Sequence, residues 1–155
     1  MSTTPLSDAD SGLAAFAVSV ELAARDLYQA VIDAGGESTA WRLLRNQHAG
    51  YAENISGIAG MSANARDEEL YTQRSADFGG DRPANAAFDL ENTLAATHVE
   101  LLAGLTDVSL IESVASIAMM ESRHAAYLGQ QSGRGDDYAA LFVNSATAVV
   151  PEAAS

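Results

Sequence analysis

Met119-Met120-Glu121-Ser122-Arg123-His124-Ala125-Ala126-Tyr127-Leu128 is the stretch from which the fold is read. Around it, Ile111, Val114, Ile117, Ala118, Ala125 and Leu128 recur every three or four residues, the period of one helix face. Glu121 and His124 fall on that same apolar stripe, and residues i and i+3 share a face. An isolated charge in an apolar interior is very costly, so a glutamate and a histidine aimed inward require partners from elsewhere in the chain.

Working outward, Thr106-Asp107 caps a helix expected over 108–130. A helix entered at Pro83, which suits a first turn, precedes it; its stripe is Ala84, Phe88, Glu91, Ala95, His98, Leu102 and Leu105. Asp10 or Ser11 can cap a first helix running to about Asp33. Its stripe is Leu13, Phe16, Ala17, Val20, Ala24, Leu27, Tyr28 and Val31, with Glu21 inside it, and Gly35-Gly36 stops it. Ser38 caps a second helix over 39–58 with Trp41, Leu44, His48, Tyr51 or Ala52, Ile55 and Ile58 inward. Residues 60–82 lose the period except for a possible helical turn near 68–73. So long a crossover lets the third main helix run parallel to the second.

The expected fold is therefore all-α: an up-down-down-up four-helix bundle with a long crossover between its second and third helices. Residues 1–10 read as a flexible arm, 11–131 as the bundle, and 132–155 as a tail packing back through Tyr138, Leu141, Phe142, Val149 and Val150. Met119 and Met120 read as core filler.

Each main helix carries an ionisable group on its apolar stripe: Glu21, His48, Glu91, and Glu121 with His124. At about 1.5 Å per residue, Glu91 and Glu121 lie at matching heights from their shared link, and Glu21 and His48 lie near one level. Carboxylates and imidazoles converging in a bundle core are how helices build a dimetal centre. Oxygen and nitrogen donors without thiolate suit Fe, Mn or Zn alike. The metal-free alternative is a core network of ion pairs. Tyr28 reads as a core residue whose hydroxyl reaches a glutamate. His98 reads as a supporting group beside the ligands, being two turns from Glu91, and Glu53 as a distant substitute for a ligand.

Composition narrows the partners. The 155 residues carry a formal charge of −13, and all eight basic residues are arginine. A phosphate backbone would be repelled, so nucleic acid is not an expected partner. There is no cysteine, which removes disulfides and thiolate sites. No apolar run approaches the ~18 residues of a membrane span, so no membrane partner is expected. Met1–Gly12 has neither a basic region nor an apolar core, so the expected compartment is the cytoplasm. A homodimer is a plausible assembly that no particular residue argues for.

Glu21-Leu22-Ala23-Ala24-Arg25-Asp26-Leu27-Tyr28, Leu90-Glu91-Asn92 and Glu121-Ser122-Arg123-His124 together resemble the bacterial ferritin-like superfamily, the relatives of ferritin, bacterioferritin and rubrerythrin. The resemblance covers nearly the whole chain and is nearest to ferritin-like proteins of high-GC bacteria, whose tails resemble Asp136-Asp137-Tyr138 through Pro151. It implies Glu21, Glu91, His48 and His124 as terminal ligands, Glu121 as a bridge, and one or two Fe or Mn ions. It also implies oxidation of metal or consumption of O2 or peroxide. The second helix departs from the pattern: where the family has Glu-x-x-His or His-x-x-His, this chain has Arg45-Asn46-Gln47-His48. Arginine stays protonated and cannot be a ligand. An inward Arg45 would offset one of three carboxylates and favour a single ion or an asymmetric pair, whereas an outward Arg45 leaves room for two ions. Alternatively, the chain is a non-catalytic scaffold with a degenerate site, serving assembly.

Overall fold

The computed structural model describes residues 5–36 and 38–151. Six helices follow in order: α1 (Asp8–Asp33), α2 (Thr39–Ala59), α3 (Glu68–Phe78), α4 (Pro83–Leu102), α5 (Val108–Gln131) and α6 (Tyr138–Phe142). No strand occurs among the described residues, so the chain is all-α.

Local chemistry sets the helix ends. The side chains of Ser7, Ser38, Asp67, Asp107 and Asp137 each accept from a backbone N–H in the first turn of the helix they precede. That satisfies one of the donors a helix start leaves orphaned. α2 ends at Gly60 in the left-handed region (φ 65), which a residue with a Cβ adopts reluctantly.

Two differences from the sequence reading have clear causes. α1 begins at Asp8, earlier than the expected cap at Asp10 or Ser11, because Ser7 takes the capping role. Asp10 is instead buried, accepting from the Thr106 backbone N–H at 2.7 Å and from its hydroxyl at 2.6 Å. The first four residues of the expected arm lie outside the described residues. The crossover is the second case: it contains three turns of helix, α3, where a single turn was expected. Only Leu70 and Phe78 of α3 are buried, so its sequence shows almost no apolar period.

The Asp10–Thr106 contact also gives the directions. α1 starts where α4 ends, so it runs antiparallel to α4 and parallel to α5. α2 returns from α1 across a short loop, parallel to α4. α1 packs most extensively on α2, and α4 on α5, with α2–α5 and α1–α4 closing the set. α3 lies across α1 and α4, its entry held where the Asp67 N–H donates to the Ser19 carbonyl.

The apolar interior divides into two cores. One, at the end where α1 and α5 finish, holds Leu27, Tyr28, Leu44, Phe78, Leu90 and Leu128. The other, at the end where they begin, holds Ala17, Ile55, Leu101, Leu110, Val114 and Ile117. Fully burying each such aliphatic or aromatic side chain is worth roughly 1.5–3 kcal/mol. The layer between them is polar. The tail from 143 runs along α4: Asn144 Nδ2 donates to the Asn92 carbonyl and the Val149 N–H to Thr97 Oγ1. Of the tail residues expected to pack back, Leu141 and Val149 are half-buried, and a Cβ on Gly129 would meet Leu141 Cδ2 at 2.7 Å. Tyr138, Phe142 and Val150 correct that reading: all three are exposed, the first two because α6 is a single short turn that rests on the bundle by one side.

Met119 corrects the reading of it as core filler: it is 64% exposed, and Met120 is half-buried. The buried stripe of α5 is Val114, Ile117, Ala118, Glu121, His124, Ala125 and Leu128, which leaves position 119 on the far face. No helix is long and apolar enough to cross a membrane among the described residues.

Candidate metal centre

Six ionisable side chains occupy the layer between the two cores. Glu21, His48, Glu91, His98 and Glu121 are fully buried, and His124 is 8% exposed. α1 supplies Glu21, α2 His48, α4 Glu91 and His98, and α5 Glu121 and His124. They form two triads, His48–Glu91–His124 and Glu21–His98–Glu121. Each offers three ligand atoms mutually within 4.8 Å.

His48 joins the triads. Its Nδ1 lies 2.7 Å from Glu21 Oε2 and its Nε2 3.0 Å from Glu91 Oε1. Glu91 also accepts from the Tyr28 hydroxyl at 2.5 Å and lies 3.2 Å from His124 Nδ1 through its other oxygen. The Tyr28 ring stacks on His48 at 5.3 Å, fixing the imidazole from the side of the first core.

His98 shows its tautomer. Its Nδ1 lies 3.0 Å from the Leu94 carbonyl, which can only accept, so Nδ1 carries the proton. The same nitrogen is 2.9 Å from Glu121 Oε2. Burial pushes His98 below the ordinary histidine range, so the ring is neutral and Nε2 presents a lone pair. That lone pair sits 3.3 Å from Glu21 Oε1, and neither atom has a hydrogen-bond partner. A ring nitrogen whose N–H is anchored on a backbone carbonyl is the usual arrangement of a metal-ligating histidine.

The other groups divide the charge. Burial would lower His48, but the carboxylates of Glu91 and Glu21 override it and hold its proton well above the ordinary range. Burial would raise Glu91, yet His48 and His124 bring it down to about 2. Glu121 is pushed far up by burial and by the neighbouring charges of Glu21 and Glu91, so it retains a proton. Without a cation, protons on His48 and Glu121 hold the layer together.

Among the described residues six buried side-chain atoms lack any hydrogen-bond partner: Tyr51 Oη and Arg45 Nε at the margin of this layer, and within it four more, Glu21 Oε1, His98 Nε2, Glu121 Oε1 and His124 Nε2. All four are ligand atoms by chemistry, and both triads contribute. Unmet polar atoms in an apolar interior cost roughly 1–3 kcal/mol each, and the proton on Glu121 relieves only the Glu21–Glu121 pair. A divalent cation would satisfy them. The donor set of carboxylate oxygen and imidazole nitrogen fits Fe, Mn or Zn. The residues present therefore fit a metal.

All five residues expected from the sequence as ligands lie in this layer. Tyr28 stands beside them, its hydroxyl on Glu91. His98, expected as a supporting group, is brought into the second triad as a full member. The spacing of Glu91 and His98 along α4 concealed this, because Glu91 reaches toward α2 and α5 while His98 reaches toward Glu21 and Glu121. Arg45 does not turn inward. Its guanidinium donates to Asn46 Oδ1 at 2.9 Å and pairs with no carboxylate among the described residues. The buried stripe of α2 is Leu44, His48, Ala52 and Ile55, so Leu44 takes the inward place above His48. Glu53 is exposed. Tyr51, expected only as an apolar-stripe residue of the second helix, stands against the centre: its ring stacks on His124 at 6.4 Å and meets His48 edge-on at 5.7 Å. Its position three residues after His48 was the available clue.

Comparison of the chain with family models, with curated proteins and with solved structures returned no match.

Proposed function

We propose that this chain is a ferritin-like metal-binding protein, with α1, α2, α4 and α5 as an up-down-down-up four-helix bundle around a carboxylate–histidine centre. Glu21, His48, Glu91, Glu121 and His124, joined by His98, hold one or two Fe or Mn ions, with Zn as the redox-inert occupant. A bound Fe or Mn ion would supply redox chemistry toward O2 or peroxide, in oxidation of the metal itself or removal of the oxidant. The observation that carries this reading is the set of four buried, unpartnered ligand atoms shared between the two triads.

The chain's own residues have definite parts. Tyr28 donates to Glu91 and orients it. The Leu94 carbonyl orients His98. The two apolar cores above and below exclude water from the layer. Charge supports the same reading: with Arg45 turned away, the glutamates have only histidines, protons or a cation to balance them.

Arg45 in a ligand's expected place favours the second reading, a scaffold that binds no metal and serves assembly. Elemental analysis of protein purified without chelator separates the two. The metal reading expects bound Fe, Mn or Zn, lost in Glu121→Ala while the helical circular-dichroism signal persists. A wild-type protein free of all three, with no uptake on addition, leaves the scaffold reading.

A further inference from the structure

Five of the six candidate ligands are sealed, and His124 alone touches the surface. It does so at the floor of a groove of about 460 Å³ between α2 and α5, walled by Leu43, Gln47, Met120, Arg123 and Tyr127. The seam lies where these helices pack less extensively than α1 on α2 or α4 on α5. The Nε2 of His124 is one of the unpartnered atoms, while Nδ1 is taken up by Glu91. Nε2 is enclosed and only the edge of the ring reaches the groove, so this one imidazole is the last layer between the surface and the centre.

The lining decides what can use the groove. In a chain of charge −13, none of its described lining residues is acidic, and the one charged wall residue is Arg123. A hydrated cation gains nothing on such a path and loses hydration against Leu43, Met120 and Tyr127. A small uncharged molecule meets no such cost.

We propose that the α2–α5 groove is the entry for a small uncharged oxidant of the O2 or hydrogen peroxide class, delivered to the His48–Glu91–His124 position. The Glu21–His98–Glu121 position is closed to such ligands, and metal cations enter by another route. The two positions are thus unequal: one exchanges ligands with solvent and the other does not. The proposal rests on the metal-binding reading, and the experiment separates failure of the two.

Leu43 is 56% exposed, so Leu43→Trp fills the groove mouth from a surface position; Val99→Trp, at a 60% exposed site on α4, is the control. In the first arm, metal-free wild-type protein is treated with diethyl pyrocarbonate and mapped by peptide mass. His124, separated from the groove only by its own ring edge, should be modified faster than the sealed His48 and His98, and Leu43→Trp should slow that modification about ten-fold, because a filled groove leaves no void for the reagent. In the second arm, anaerobic Fe(II)-loaded protein is mixed with nitric oxide, an uncharged diatomic probe. Leu43→Trp should bind the same number of Fe(II) ions at the same rate and form the nitrosyl chromophore about ten-fold more slowly, with Val99→Trp unchanged. Equal modification of all three histidines, or an unchanged nitric oxide rate in iron-loaded Leu43→Trp, overturns the groove assignment and leaves the metal reading intact. Slowed Fe(II) uptake in Leu43→Trp also overturns it, since the cation would then share the route. Wild-type protein that takes up none of Fe(II), Mn(II) and Zn(II) overturns the metal reading and the delivery role together, and uptake of Zn(II) alone overturns the delivery role.

Discussion

His98 and Tyr28 show how much of the centre is decided one hydrogen bond at a time. Both are fully buried, and each holds a glutamate: Tyr28 donates to Glu91, and His98 faces Glu121 and Glu21. Tyr28→Phe removes one donor and little volume. Glu91 Oε1 keeps His48, so the loss of metal-free stability should be small, about 1 kcal/mol, in a urea titration. Metal affinity should fall further, about 10–100-fold, because Glu91 loses its orientation. Unchanged affinity would mean that Tyr28 only packs. Glu121 and His124 were legible in the sequence because they lie on an otherwise apolar stripe, where chance rarely puts two ionisable groups. The membership of His98 was not. Its seven-residue distance from Glu91 suggests a different level, and only the directions taken by the two side chains bring both to one layer.

The elements are latched by polar contacts at their ends. Asp10, at the start of α1, grips Thr106 in the α4–α5 link and thereby sets α1 against α4. Hydrogen bonds from Thr106 hold its carboxyl below the ordinary range of 3.8. A depressed folded-state value means that the contribution is present above that ordinary range and is lost as pH falls through the lowered value. Asp10→Asn should therefore destabilise the protein at pH 7 in urea unfolding, and the difference from wild type should shrink toward pH 3. A constant difference across that range would remove the carboxylate from the explanation. Caps, glycine stops and the apolar stripes made the four long helices readable. α3 was legible only as a turn near 68–73 because it is short and buries only Leu70 and Phe78, and Asp67, which caps it, looks like any loop aspartate.

At the scale of the molecule, two apolar cores enclose a layer that is costly to bury without a cation. Protons substitute for one in the metal-free state, and this gives the centre a pH dependence. The raised folded-state value of His48 means its ion pairs contribute below the ordinary 6.5 and are lost as pH rises through the raised value. Glu91, brought down to about 2, contributes above its ordinary 4.5 and is lost only as pH falls through about 2. Bound metal must displace the protons on His48 and Glu121, so its effect should strengthen as pH rises. The rise in Tm on saturating Zn(II) should be larger at pH 8 than at pH 6 by differential scanning calorimetry. The reverse order would contradict this charge assignment.

The central claim is that the buried glutamates and histidines are a cation site and not a self-sufficient ion-pair core. Anaerobic Fe(II) titration, followed by calorimetry at pH 7 in two buffers of different ionisation heat, tests it most directly. Saturation is expected at one or two equivalents, with proton release seen as a buffer-dependent heat and about 2.7 kcal/mol of added stability at a hundred-fold excess over Kd. No binding heat, with Fe(II), Mn(II) and Zn(II) all leaving Tm unchanged, would contradict it.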